Sequence, residues 1–125
     1  MNKFTINAKL PSLNEVIAQN RANRYKGAKF KAETEELIGC YIRIARAAGE
    51  LYPITEPCEI YIDFHEATMR RDVDNIQSSQ KFILDALVKN GVLVNDNRRY
   101  VKQTHPNIID DNSDFVVVRL EECET

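Results

Sequence analysis

The 125-residue chain has no tryptophan, only two histidines, four glycines and four prolines, and three cysteines. So little Gly and Pro excludes collagen-like and low-complexity chains. Cys40, Cys58 and Cys123 are an odd number and none stands in a C-x-x-C pair. That argues against a disulfide framework and against a zinc site, and it predicts a reducing compartment. Long apolar runs are also missing. The longest is Phe115 to Val118, far short of the roughly 20 residues a membrane span needs, so no membrane partner is expected. Met1-Asn2-Lys3-Phe4 opens without an apolar signal core, which predicts a cytoplasmic protein. No repeat or linker interrupts the chain, and its length fits one domain over residues 1–125.

What remains is ordinary globular composition, 43% hydrophobic and 29% charged, enough for one buried core. The net charge of −2 hides an asymmetry. Residues 1–50 carry nine Lys/Arg against five Asp/Glu, and residues 51–125 carry eight against 14. A basic half and an acidic half fit an anionic partner on one surface and a carboxylate cluster on another.

Period-2 alternation marks a first strand over Lys3 to Leu10, with Phe4, Ile6, Ala8 and Leu10 on one side. Asn20 to Lys31 holds Arg21, Arg24, Lys26, Lys29 and Lys31 without one acid, includes Gly27, and reads as a basic loop. Its five cations would bind phosphate, and Tyr25 and Phe30 would stack on bases, unless Phe30 packs in the core. A helix is predicted from about Lys31 to Ala48, with Leu37, Tyr41, Ile44 and Ala48 as its apolar stripe and Gly49 just past its end. Glu56 to Phe64 alternates as a second strand. A second helix is predicted from about Asp74 to Lys89, with Ile76, Phe82, Ile83, Ala86 and Leu87 inward and Asn90-Gly91 ending it. Arg99 to Thr104 and Asp114 to Glu121 read as strands, with a loop from Pro106 to Ser113. The expected architecture is a single mixed α/β domain in the order β-α-β-α-β-β, about four strands in a mixed sheet with two helices.

The chemistry concentrates in Arg70-Arg71-Asp72-Val73-Asp74-Asn75. Carboxylates at i and i+2 in an extended turn can face one pocket. Asp96 would join them if the chain returns along the second helix. Clustered carboxylates suit Mg²⁺, a hard ion that prefers oxygen ligands and that activates water for phosphodiester hydrolysis. Lys81 follows Asp74 by seven residues on one helix face, roughly 10 Å along the axis, and would meet phosphate charge. Arg70, Arg71, Arg98 and Arg99 flank this region and would either hold a phosphate backbone or simply offset carboxylate repulsion.

Arg71-Asp72-Val73-Asp74-Asn75, Lys81-Phe82-Ile83-Leu84-Asp85-Ala86-Leu87 and Gly91-Val92-Leu93-Val94-Asn95-Asp96 together resemble the RusA family of Holliday junction resolvases, and Leu10-Pro11-Ser12-Leu13-Asn14 resembles that family's Pro-Ser-Leu-Asn segment. The resemblance spans most of the chain. It implies a small homodimer of mixed α/β fold, common in phages and prophages, that cuts two opposed strands of a four-way DNA junction with Mg²⁺ or Mn²⁺. Asp72, Asp74 and Asp96 match the family's catalytic, metal-binding acids, and Lys81 its essential lysine. Two departures stand out. The family's lysine usually follows the second Asp by four residues, where this chain has Ser78, so that Ser78-Ser79-Gln80 would lengthen the helix by almost one turn. Asn95 replaces the first acid of a D-D pair.

The expected function is therefore metal-dependent, paired nicking of branched DNA. The alternatives are a junction-binding protein without cleavage, or a metal-dependent phosphodiesterase acting on flap DNA or RNA. Plainer roles also stand beside each residue. Asp74 with Gln77 makes a capping box, Lys81 a solvated helix lysine and Asp85 its partner, and Asp63 and His65 either support the site or are simply solvated. His105 sits in the expected turn before Pro106, and Cys40 and Cys58 are expected in the core.

Overall fold

The computed structural model describes residues 2–123. The elements run β1 (Asn2–Ile6), α1 (Leu13–Ala22), α2 (Arg24–Ala47), β2 (Cys58–Glu66), α3 (Val73–Gln77), α4 (Gln80–Lys89), β3 (Val101–Asp110) and β4 (Phe115–Glu122). The strands form one mixed sheet in the order β1-β4-β2-β3, parallel between β2 and β3 and antiparallel elsewhere. This is the expected single mixed α/β domain with four strands. Each expected helical region is richer than its pattern suggested.

Alternation puts one face of the sheet in the core. Phe4 and Ile6 of β1, Cys58, Ile60, Ile62 and Phe64 of β2, and Val116, Val118 and Leu120 of β4 are all buried. Removing such apolar side chains from water is the main stabilising term, about 1.5–3 kcal/mol for each large one. Ile38, Ile42, Ile83 and Leu87 from the helices meet them in the same cluster. On the opposite face side chains pack on one another. Tyr61 stacks on His105 at 4.3 Å, Arg119 lies 4.2 Å over Tyr61, and His65 stacks on Phe115 at 3.9 Å.

β1 stops at Ile6, four residues short of the expected Leu10, and four further expectations need correction. First, Asn20–Lys31 is not a loop. α1 ends at Ala22, Asn23 alone separates it from α2, and the Asn23 Oδ1 accepts from the Lys26 amide at 2.7 Å to cap the second helix. α1 buries no residue, so no apolar stripe announced it. Its start is nevertheless written as a capping box: the Glu15 amide donates to Ser12 Oγ and the Ser12 amide to Glu15 Oε1.

Second, α2 turns a different face inward. It buries Ile38, Ile42 and Ala45, another i, i+4, i+7 series one position on from the expected stripe. Leu37 and Ile44 are exposed, and so is Cys40, whereas Cys58 is buried as expected. The inward rotation lays Gly39 against the Asn90 side chain, where a Cβ would come within 3.1 Å of the carboxamide nitrogen. The ends of α2 and α4 follow the expected rule. Gly49 and Gly91 both adopt φ near +75°, and the 6→1 and 5→2 amide bonds of a Schellman motif close each helix.

Third, the second helix is two. α3 stops at Gln77, and Ser78 and Ser79 form a joint before α4. Ser78 Oγ donates to the Asn75 carbonyl at 3.0 Å and Ser79 Oγ to the Ile76 carbonyl at 3.1 Å, so hydroxyls satisfy carbonyls at the end of α3. The helix start is also one residue pair earlier than a capping box on Asp74 requires, with Asp72 as N-cap.

Fourth, β3 runs straight through Pro106 to Asp110 instead of ending at Thr104. β3 is an edge strand, where a residue without an N–H is tolerated. His105 therefore lies in a strand, 2.8 Å from Glu59 across to β2.

Candidate metal and nucleic-acid site

The turn carrying the paired carboxylates is fixed from beneath. β2 keeps its inward phase two residues beyond Phe64, so Glu66 points into the protein with a side chain only 4% exposed. Arg71 meets it as a fork, Nε to Oε1 at 3.0 Å and Nη2 to Oε2 at 2.6 Å, and its Nη1 donates to the Leu10 carbonyl at 2.8 Å. Every branch of the guanidinium is thus engaged. Arg71, expected to hold DNA, instead anchors the turn to the sheet and to the segment before α1. The Asn14 amide adds a second tie, donating to Asn75 Oδ1 at 3.2 Å.

Asp72 and Asp74 follow that anchor on the surface. Asp72 occupies the N-cap position of α3, yet its carboxylate makes no capping hydrogen bond. Asp74 Oδ1 accepts from the Asn75 amide at 3.0 Å. Both side chains therefore keep carboxylate oxygens directed to solvent.

Asp96 is carried back along α4. Asn95, which replaces an acid in the resemblance, folds this return: its Oδ1 accepts from the Asp96 and Asn97 amides at 2.7 and 3.3 Å. Lys81 at the start of α4 meets Asp96 at 2.8 Å and Asp85 at 2.9 Å. Asp96 first, then Asp85, hold the Lys81 ammonium well above the ordinary lysine value. Lys81 in turn holds the Asp96 carboxyl below its ordinary value. Both shifts favour the ion pair, a cationic Lys81 against an ionised Asp96. Lys31 extends the chain of charges, 3.8 Å from Asp85.

The expected acids thus fall into two parts, Asp72 with Asp74 at the start of α3 and Asp96 with Lys81 and Asp85 along α4. Among the described residues no group of three or more His, Cys, Asp and Glu side chains is arranged as a metal cage. The donors at α3 are nonetheless of the right chemistry for Mg²⁺, which is commonly held by one or two carboxylates with water and substrate phosphate completing the shell. The open oxygens of Asp72 and Asp74 meet that requirement.

The basic residues divide likewise. Arg24 and Lys31 border one cavity, while Lys26 and Lys29 border a neighbouring groove on the next face of α2. Arg21 lies in the last turn of α1. Arg70, Arg98 and Arg99 are exposed, Arg99 with its guanidinium 5.8 Å from the Tyr100 ring centre. Asp63 and His65 project from the open face of the sheet, Asp63 accepting from Asn107 and His65 contacting Asp111 at 2.6 Å.

Glu66 is the residue that sequence reasoning missed. Its signal was present: Cys58, Ile60, Ile62, Phe64 and Glu66 share one strand face, and an acid on the inward face demands a buried partner. No protein-family model matches the chain and no curated protein sequence matches it, so an assignment of activity rests on these residues themselves.

Proposed function

We propose that the protein is a metal-dependent endodeoxyribonuclease that acts on four-way DNA junctions as a homodimer. The observation that carries this reading is the 2.8 Å contact between Lys81 and Asp96. The RusA-like lysine, three residues farther from Asp74 than is usual, meets the RusA-like acid that follows it by 15 residues.

In this reading Asp72 and Asp74 hold Mg²⁺ or Mn²⁺. The bound ion supplies a more acidic water and neutralises charge on the phosphate. The chain's own residues do the rest. The Glu66–Arg71 fork keeps the two carboxylates from drifting, which matters because misplaced ligands lose affinity. Lys81, cationic at all working pH values, faces the charge that develops on phosphate oxygens. Arg70, Arg98 and Arg99 contact the DNA backbone and contribute salt-sensitive affinity. A two-fold dimer offers equal sites to the two equivalent strands of a junction.

Cleavage of a labelled synthetic four-way junction tests this, with Mg²⁺ or Mn²⁺, duplex controls, and the variants Asp72→Asn and Asp74→Asn. Wild type should give paired symmetric nicks, and either variant should lose about a hundredfold or more in rate. One observation favours a second reading, a junction-binding protein without cleavage: Asp96 is already neutralised by Lys81. Tight junction binding with no nicks from wild type would establish that reading and end the first.

A further inference from the structure

The helical hairpin that replaces the expected basic loop borders a cavity open to solvent. Asn20 of α1 lies over Gly27 of α2, where a Cβ would stand 2.2 Å from Asn20 Oδ1 and 3.3 Å from its Cα. A side chain there would push the Asn20 carboxamide aside and crowd its Cα. Beside it, between α1, α2 and α4, opens a space of about 480 Å³, within the range of pockets that hold small organic groups. Its walls are Val16, Ala28, Phe30 and Phe82. Phe82 is buried, and Phe30 is half-buried and borders both this cavity and the neighbouring groove.

The polar side chains of the lining are few, one carboxamide and two cations. The Asn20 carboxamide makes no hydrogen bond among the described residues, so both its donor and its acceptor are free. Arg24 and Lys31, seven residues apart, border the same cavity, and no acid lines it. Arg24 has no ion-pair partner among the described residues. Lys31 contacts Asp85, which contacts Lys81, so the rim of the cavity continues directly into the Lys81–Asp96 pair.

Aromatic walls, one free amide and two rim cations describe a receptor for a flat heteroaromatic ring joined to an anion. We infer that this cavity receives an unpaired nucleobase, with its flanking phosphates on Arg24 and Lys31. The inference deepens the nuclease reading and rests on it. Phe30 and Phe82 offer apolar surface to the ring, and the Asn20 amide offers hydrogen bonds to its edge. A nucleotide seated there is tethered beside Lys81, so strands with unstacked bases, as at a junction crossover, are held in preference to uniform duplex.

The test compares a labelled single-stranded oligodeoxynucleotide with an abasic strand of equal length and charge, by fluorescence anisotropy at fixed salt. Wild type should bind the strand with bases about tenfold more tightly. Phe30→Ala should abolish that preference and leave abasic binding unchanged. Ala28→Phe fills the cavity from an exposed helix position without removing a core contact, so it serves even if Phe30→Ala is unstable. It should abolish the preference as well. Arg24→Gln should weaken both strands and flatten the salt dependence. Equal wild-type affinity for the two strands, or a preference that survives Ala28→Phe, overturns the inference. A protein that nicks junctions yet is indifferent to bases sinks the pocket alone. One that neither nicks junctions nor binds either strand sinks the nuclease reading with it.

Discussion

Replacing Arg71 by methionine removes the anchor beneath Asp72 while keeping much of the side-chain volume. Glu66 would then be a carboxylate with a 4% exposed side chain and no counter-charge, and the Leu10 carbonyl would lose its donor. Breaking one half of a buried pair costs about 3–5 kcal/mol, against less than about 1 kcal/mol for an exposed pair. A domain of this size has roughly 5–15 kcal/mol in all, so the variant should remain folded but marginal. Urea denaturation should show the loss as a lower midpoint with little change in slope. Glu66→Met combined with Arg71→Met should recover most of it, because two apolar side chains leave no stranded charge. The double variant then separates stability from positioning: it should fold well and yet hold Asp72 loosely, with faster amide exchange over Val73–Ile76. A loss below about 1 kcal/mol for Arg71→Met would refute the reasoning and reduce the fork to an ordinary surface pair.

Lys81→Met should return the Asp96 carboxyl upward toward its ordinary value of 3.8, read by a carboxyl-carbon NMR titration. A lowered folded value means that Asp96 contributes stability above pH 4, lost as pH falls through the folded pKa, and that contribution should vanish in the variant. An Asp96 titration indifferent to residue 81 would dismiss the pair. Alkylation at pH 8 should modify exposed Cys40 at once and spare Cys58, which is buried with its thiol pushed up to about 11, chiefly by that burial. Mass spectrometry that finds Cys58 labelled as fast as Cys40 in the folded protein would contradict the packing of β2.

The strands were largely legible because alternation is a direct record of a sheet with one face buried. Cys58, Ile60, Ile62 and Phe64 carry that record, and β2 obeys it. Proline at position 106 spoiled the reading of β3, since the pattern alone does not say that the strand lies at an edge. The helices were less legible for opposite reasons. α1 has too little apolar periodicity to be seen, although Ser12 and Glu15 spell its start. α2 has too much: Leu37, Tyr41, Ile44 and Ile38, Ile42, Ala45 are both acceptable stripes, and packing against α4 and β1 selects the second. In the candidate site the acidic and basic residues were visible one by one. Their pairing was not, because Glu66–Arg71 and Lys81–Asp96 are set by strand phase and by a loop return that no local pattern records.

The serine joint divides the candidate site into two independently anchored parts. In one continuous helix, seven residues from Asp74 would carry Lys81 roughly 10 Å along a single axis. Ser78 and Ser79 instead end α3 with their own hydroxyls and let α4 start afresh. Lys81 then answers to α4 and to the return that brings Asp96 back, while Asp72 and Asp74 answer to Arg71 and Asn75. Two anchors in place of one rigid rod mean that the carboxylate pair and the lysine–acid pair can be perturbed separately. Arg71→Met should disturb the first and leave the 2.8 Å Lys81–Asp96 contact intact, whereas Lys81→Met should do the reverse.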